Sequence, residues 1–225
     1  MKKEGLLTIP DFSNVEKYLQ AGKRTEITDR IRAVADLING QTDGILIRNI
    51  LLWMNQNTER LQNGRDTRKF KRTADEILQS GERTGCCDSS TLFTVLARCK
   101  GIPTMQIITI NKEAGKKIER EGGVITSGHY FTACYLADIN GNSNWVLIDS
   151  DQPVQDIRDV RFDKLDLNNR NIRRGFYALA YVNDYSNVEY KGMRIDSIDN
   201  MNKIQTEAYK NCDKSDFSSR DEKGR

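Results

Sequence analysis

The chain has 225 residues, of which 30% are charged, and its net charge of +3 comes from 35 basic and 32 acidic residues. This length is sufficient for one domain with its own hydrophobic core. Because the opposite charges nearly cancel and the apolar runs are short, the composition argues against both nucleic-acid binding and a membrane-spanning segment.

Two further features predict a cytoplasmic protein. The first ten residues contain two lysines but no uninterrupted apolar stretch of the kind that a secretory signal requires. The five cysteines are odd in number and follow no pattern, which argues against a disulfide framework. With a single histidine and no repeated C-x-x-C, the sequence predicts neither a metal site nor a cofactor.

The first half of the chain has helical patterns. Apolar residues recur at helical spacing over 25–38 and again over 44–60, with Asp43 as a candidate N-cap of the second helix. Thr73 and Glu76 have the spacing of a capping box, which predicts a short helix ending near Gly81. A further helix is predicted over 88–100, because Leu92, Val95, Leu96 and Cys99 share one face and the proline at 103 ends it.

The second half has short β-rich runs over 105–110, 129–136, 145–148 and 176–182. The stretch 111–128 between the first two is charged and glycine-rich, and it predicts an exposed excursion with room for a short helix. A polar helix is predicted over 197–210. Since helices come first and strands follow, the order predicts an α+β domain with a mainly antiparallel sheet.

One cysteine lies where a thiolate would be favoured. Cys86 follows Gly85 near the start of the helix predicted at 88–100, and the positive end of a helix dipole stabilises a negative charge. An unpaired cysteine is more often a small buried residue, so this position alone is weak support. A Cys-His enzyme made from this chain must use His129, the only histidine, and Asp149 follows the run 145–148 where it would orient the imidazole.

Three sequence blocks carry a family resemblance. Residues 85–103 begin Gly-Cys and end Leu-Ala-Arg-Cys-Lys-Gly-Ile-Pro, residues 128–136 begin Gly-His, and residues 145–149 read Trp-Val-Leu-Ile-Asp. In this order they resemble the nucleophile helix, the His strand and the Asp strand of the transglutaminase-like cysteine enzymes. Matched block by block, the resemblance implies Cys86, His129 and Asp149 as the catalytic triad.

The resemblance also implies a fold and a division of the chain. The expected fold is the transglutaminase core, a papain-like cysteine-enzyme fold in which the nucleophile helix packs on a mainly antiparallel sheet, with extra N-terminal helices. We expect a helical segment at 1–43, a catalytic core at 44–183 and a C-terminal extension at 184–210. Residues 211–225, charged and serine-rich, are predicted to be disordered.

The implied activity is acyl transfer through a thioester, most simply hydrolysis of a peptide or amide bond. The chain has no acidic calcium loop and lacks the additional domains of animal crosslinking enzymes, which favours hydrolysis over amine crosslinking or deamidation. A second alternative is a non-catalytic peptide-binding module on the same fold. The expected partner is a peptide or protein amide, with no nucleic acid and no membrane, and the oligomeric state stays open.

The sequence also supports predictions about a second cysteine, an oxyanion-binding side chain and a basic stretch. Cys87 is an alternative nucleophile, although counting back from Arg98 in the family pattern selects Cys86. Gln56 is a guess for a polar group that helps to bind the oxyanion. The basic residues within 65–72 predict a solvated surface loop rather than a contact with an acidic partner.

Overall fold

The computed structural model describes Leu6 and residues 12–61, 66–138, 140–167, 169–173 and 175–212. The helices in these ranges are α1 (Asp29–Leu37), α2 (Asp43–Asn57), α3 (Ala74–Ser80), α4 (Cys86–Cys99), α5 (Lys112–Glu121) and α6 (Ile198–Asn211). Short 3-10 helices span Val15–Leu19, Ile157–Asp159 and Tyr185–Asn187. None of the described helices is long and apolar enough to cross a membrane.

The strands in the described ranges are β1 (Glu59–Arg60), β2 (Glu82–Arg83), β3 (Thr104–Asn111), β4 (Tyr130–Ala137), β5 (Ser143–Ile148), β6 (Asp163–Lys164), β7 (Asn171–Arg173), β8 (Phe176–Val182), β9 (Glu189–Tyr190) and β10 (Met193–Arg194). Six of them form an antiparallel sheet in the order β6-β5-β4-β3-β8-β7. The short strands β1 and β2 pair in parallel, and β9 pairs with β10. The predicted α+β class is confirmed.

Helix α4 lies at the centre of the fold because almost its whole surface is apolar or small. Its residues from Cys87 to Arg98 are buried, and it packs against α1, α2 and α3 as well as against β3 and β4. The largest core cluster joins these helices to sheet residues such as Cys134 and Ile148. The other face of β4 contributes Phe131 and Ala133 to a second cluster, as the two-residue period of a strand requires.

Arg98 holds the far end of α4 in place. Its buried guanidinium donates to the backbone oxygens of Thr104, Asn183 and Gln20, and to the hydroxyl of Thr25. One of these acceptors is six residues away, and the others come from two distant parts of the chain. The arginine of the family-like block therefore ties α4 to the sheet and to the N-terminal segment.

Several element predictions need correction. The N-cap of α2 is Thr42, whose hydroxyl accepts from the Ile45 N–H, whereas the Asp43 carboxylate accepts from the Ala137 N–H. The excursion at 111–128 contains the full helix α5, and its Lys112 side chain is buried. At the C-terminal end α6 includes Asn211, the first residue predicted to be disordered, and residues 213–225 lie outside the described ranges.

Candidate active site

The start of α4 presents Cys86 at the surface of the core. Gly85 precedes it with φ 138, in a region of backbone space that favours glycine, and no side chain caps the helix. Cys86 is the first helical residue and is half-buried. The helix thus begins two residues earlier than the sequence pattern predicts, and the sulfur lies at its positive end.

The neighbouring Cys87 has a different environment. Its side chain is 1% exposed and packs in a cluster with Phe70, Tyr130 and Tyr185. Burial raises the pKa of the Cys87 thiol well above its ordinary value, and the adjacent Asp88 charge raises it further. A neutral thiol in this cluster has the character of a small apolar side chain, so the geometry favours Cys86 over Cys87 as the reactive cysteine.

His129 immediately precedes β4 and is fixed by its backbone. Its N–H donates to the Thr109 hydroxyl at 3.2 Å, and the same hydroxyl donates to the His129 carbonyl at 2.8 Å. The imidazole ring lies edge-on to Phe131 with 4.5 Å between ring centroids, and it also contacts Phe176. These contacts restrict the ring, whose side chain is 20% exposed.

Asp149 follows β5 and meets the imidazole. Its Oδ1 lies 2.9 Å from His129 Nε2. In the β4–β5 ladder Thr132 pairs with Ile148, so continuing the register makes His129 and Asp149 diagonal neighbours across the two strands. Diagonal pairs on one face are within reach of long or aromatic side chains. The Asp151 N–H donates to the same Oδ1 at 3.2 Å, which holds the carboxylate in place.

The ionisation of His129 depends on both neighbours. Burial favours the neutral ring, but the hydrogen bonds to Asp149 and Cys86 and the negative charges of these two groups outweigh it and raise the pKa of His129 to about 10. Since Asp149 occupies Nε2, Nδ1 is the ring nitrogen that remains for Cys86. The structure therefore brings the three predicted residues together, with the imidazole between the Asp149 carboxylate and the Cys86 sulfur.

A second layer of polar groups, which was not predicted from the sequence, supports Asp149. The Asp151 carboxylate, 3% exposed, accepts two hydrogen bonds from the Arg60 guanidinium at 2.9 and 2.6 Å. Its Oδ1 also accepts from the Ser89 hydroxyl at 2.7 Å. Arg83 in turn donates to Ser89 and to Thr58. In the sequence, the one sign of this polar layer is the position of Asp151, two residues after the candidate catalytic Asp149.

A separate ion pair shapes the first turn of α4. The fully buried Asp88 carboxylate accepts from Arg72 and from both the N–H and the hydroxyl of Thr84, the latter two at 2.8 and 2.6 Å. This corrects the prediction of a solvated loop within 65–72, because Arg72 is 8% exposed. Arg68 pairs with Asp66 and Glu82, and Arg65 lies outside the described residues.

Two further points concern the composition of the site. Gln56 lies on α2 with an exposed side chain, so its role in oxyanion binding stays a prediction. Across the described ranges no group of three or more histidine, cysteine or acidic side chains is placed to hold a metal ion.

The fold is a central helix packed on an antiparallel sheet, with a cysteine at the helix start facing a histidine and an aspartate from adjacent strands. The family model of the transglutaminase-like superfamily matches residues 32–150, which is more than half of the chain. The protein belongs to this superfamily. The family resemblance seen in the three sequence blocks is thereby confirmed.

A solved structure has a similar fold. It is the crystal structure of a protein from Cytophaga hutchinsonii named a putative cysteine protease, with a TM-score of 0.50 and 16% identity. The similarity covers 80% of this chain and 52% of that chain, so this chain spans about half of its length. At this identity the similarity concerns the fold alone. No curated protein matches the sequence.

Proposed function

We propose that the protein is a cysteine-dependent acyl-transfer enzyme that hydrolyses peptide or amide bonds, with Cys86 as nucleophile, His129 as acid and base, and Asp149 as the group that orients His129. The observation that carries the proposal is the position of the His129 ring between Asp149, 2.9 Å from Nε2, and the Cys86 sulfur. A binding module on this fold has no physical need for these three groups in contact.

The first half of the reaction forms a thioester. The Cys86 sulfur attacks the carbonyl carbon of the amide, and the negative charge moves to the carbonyl oxygen. N–H groups at the uncapped start of α4 are the donors for this oxyanion. Protonated His129 gives its proton from Nδ1 to the leaving nitrogen, the C–N bond breaks, and the amine departs.

The second half returns the enzyme to its starting state. Water takes the place of the amine, and now neutral His129 accepts its proton as the oxygen attacks the thioester carbon. The C–S bond breaks, the carboxylic acid leaves, and the Cys86 thiolate faces a protonated imidazole again. Asp149 keeps Nε2 bonded throughout, so the ring presents Nδ1 to the sulfur in both halves.

The preference for water as the acceptor rests on the sequence, which has no acidic calcium loop of the kind that the animal crosslinking enzymes carry. If an amine takes the place of water, the same thioester yields crosslinking. If the substrate is a glutamine side chain, hydrolysis yields deamidation. These two outcomes share the triad, so they are alternatives for the substrate and acceptor and leave the assignment of the residues unchanged.

Iodoacetamide labelling tests the triad directly. At neutral pH we expect one cysteine to react fast, and peptide mapping should identify it as Cys86. Labelling should become slow in His129→Ala and in Asp149→Ala, and should stay fast in Cys87→Ala. Slow, uniform labelling of all cysteines in the folded wild-type protein would contradict the proposal and favour a binding module.

Mass spectrometry with a peptide library identifies the reaction. The protein is incubated with the library with and without an added primary amine, and Cys86→Ser serves as the control. We expect cleaved peptides whose yield does not need the amine. Peptides that gain the amine would indicate crosslinking, and peptides that only exchange an amide for an acid would indicate deamidation.

A further inference from the structure

Arg60 is a charged side chain at the candidate site that the proposed reaction does not use. Its guanidinium is 41% exposed, although its partner Asp151 is 3% exposed. Two of its nitrogens, Nε and Nη2, bind the Asp151 carboxylate in the bidentate geometry that is specific to arginine. Nη1 makes no hydrogen bond to any of the described residues. The Nε–Nη2 edge of the guanidinium is thus fixed by Asp151, whereas the edge with Nη1 is available to bind a ligand.

The backbone places the Arg60 guanidinium near both Cys86 and Asp149. Arg60 pairs with Arg83 in the β1–β2 ladder, and Arg83 is three residues before Cys86. Its partner Asp151 donates its N–H to Asp149. The hydrogen bonds to Asp151 raise the pKa of Arg60 against the effect of burial, and the negative charges of Cys86 and Asp149 raise it further. The guanidinium therefore lies within electrostatic reach of the sulfur.

Arg60 shares its partner Asp151 with a second arginine. Asp151 is shared between Arg60, which it binds directly, and buried Arg83, which it reaches through the Ser89 hydroxyl. This gives two guanidinium groups for one carboxylate. Lys69 lies on the same side, because its Nζ comes within 3.5 Å of the point where a side chain at Gly85 would begin. The basic groups of Arg60 and Lys69 thus both lie near Cys86, in addition to the carboxylate of Asp149.

We propose that Arg60 is a specificity-determining residue that binds a carboxylate of the substrate next to the amide bond attacked by Cys86, so the preferred substrates are acidic peptides or amides. The proposal rests on the proposed function. Asp151 fixes the guanidinium before the substrate arrives, so little conformational entropy is lost on binding. Nη1 can then donate to the substrate carboxylate while Nε and Nη2 stay bonded to Asp151.

A pair of alkylating reagents tests the proposal without a known substrate. Iodoacetate and iodoacetamide deliver the same carbon to the sulfur, but only iodoacetate carries a carboxylate. We expect the ratio of their rate constants at Cys86 to fall about threefold or more in Arg60→Gln at low salt. The same ratio should fall in the wild-type protein as salt is added, a measurement that needs no variant to fold.

Arg158→Gln is the matched control. Arg158 also forms a bidentate pair with an aspartate, Asp156, at 2.8 and 2.9 Å, but it is 86% exposed and lies outside the candidate site. This variant removes the same charge from the protein and should leave the ratio unchanged. Arg60→Lys, which keeps the charge but loses the fork, should give an intermediate ratio.

The outcomes separate this inference from the proposed function. Slow labelling of wild-type Cys86 by both reagents would overturn the proposed function, yet the ratio and its salt dependence could still be measured. An unchanged ratio in Arg60→Gln, or an equal loss of rate with both reagents, would overturn the inference while the triad stands. In the peptide library, an equal yield from matched Glu and Gln peptides would overturn it as well.

Discussion

The starts of α3 and α4 follow each other along the chain, yet they are stabilised in opposite ways. At α3 the Thr73 hydroxyl accepts from the Glu76 N–H, and the Glu76 carboxylate accepts from the Thr73 N–H at 2.7 Å. At α4 the N-cap is Gly85, which has no side chain to offer. Each of the other described α-helices is capped by a side chain: Thr28, Thr42, Asn111 and Ser197.

The difference indicates that the start of α3 contributes to stability, whereas the N–H groups at the start of α4 are available for the proposed reaction. A cap satisfies N–H donors that a helix cannot bond internally. At α4 the first N–H groups are left without a side-chain acceptor, and they lie beside Cys86. The Asp88 carboxylate in the first turn, which accepts from Arg72 and Thr84, stabilises this helix start instead. Four changes test this distinction.

The largest expected effect is the pH dependence of the His129 ion pair. The folded pKa of about 10 lies above the ordinary value of 6.5, so the folded protein binds this proton more tightly. Its stabilisation is therefore complete below about pH 6.5 and is lost as the pH rises through about 10. We expect His129→Gln to cost on the order of 3 kcal/mol at pH 6.

Urea denaturation of the wild-type protein and His129→Gln, at intervals from pH 6 to pH 10.5, measures this effect. The difference in the free energy of unfolding should shrink towards zero at the alkaline end. Titrating groups away from His129 are common to both proteins and cancel in the difference, which therefore reports the ring together with its two neighbours, Asp149 and Cys86. A constant difference across the range would show that the ring contributes packing alone.

The second largest effect is expected at Gly85. Its φ of 138 and ψ of −166 lie in a region that is almost restricted to glycine, so Gly85→Ala should cost about 2 kcal/mol. The backbone shift would also move Cys86, so iodoacetamide labelling should slow. Gly81→Ala is the matched control, because Gly81 has the milder left-handed conformation with φ 66. If the two variants lose the same stability, the start of α4 is not specially strained.

The third effect compares the two adjacent cysteines. Cys87→Ser places a hydroxyl in the aromatic cluster around Tyr130, where it replaces a weakly polar thiol, and we expect a cost of about 1–2 kcal/mol. Cys86→Ser should cost less than Cys87→Ser, since this side chain is half-buried and a hydroxyl there can still contact water. Thermal unfolding of both variants measures the contrast. A larger loss in Cys86→Ser would indicate that Cys86 is the more tightly packed of the two.

The two helix starts also differ in how well the sequence predicts them, because local contacts leave a pattern in the sequence and distant contacts do not. The capping box was predicted correctly because Thr73 and Glu76 are three residues apart and bond only to each other. Four of the six strands of the main sheet, β3, β4, β5 and β8, were predicted from local runs of apolar residues, whereas the short edge strands β6 and β7 were not. The family-like blocks contain Cys86, His129 and Asp149, although their contact depends on a strand register that the sequence does not specify.

The supporting groups were missed for a physical reason. Arg60 and Asp151 are separated by 91 positions, and Ser89 and Asp151 by 62. No local pattern marks such pairs, because each residue taken alone resembles an ordinary surface residue. The cap of α2 was assigned to Asp43 for the same reason, since its actual partner, the Ala137 N–H, is 94 positions away.

The smallest effect tests whether the two helix starts are independent. Thr73→Ala removes the acceptor of the Glu76 N–H, and we expect a loss of about 1 kcal/mol in the free energy of unfolding. The rate of iodoacetamide labelling at Cys86 should not change, because the cap of α3 contributes to stability alone. Thr42→Ala, which removes the cap of α2, is the matched control with a similar loss. Slower labelling in Thr73→Ala but not in Thr42→Ala would mean that a shift of α3 displaces the start of α4 through the connecting strand β2. The cap of α3 would then affect the reactivity of Cys86 as well as the stability of the fold.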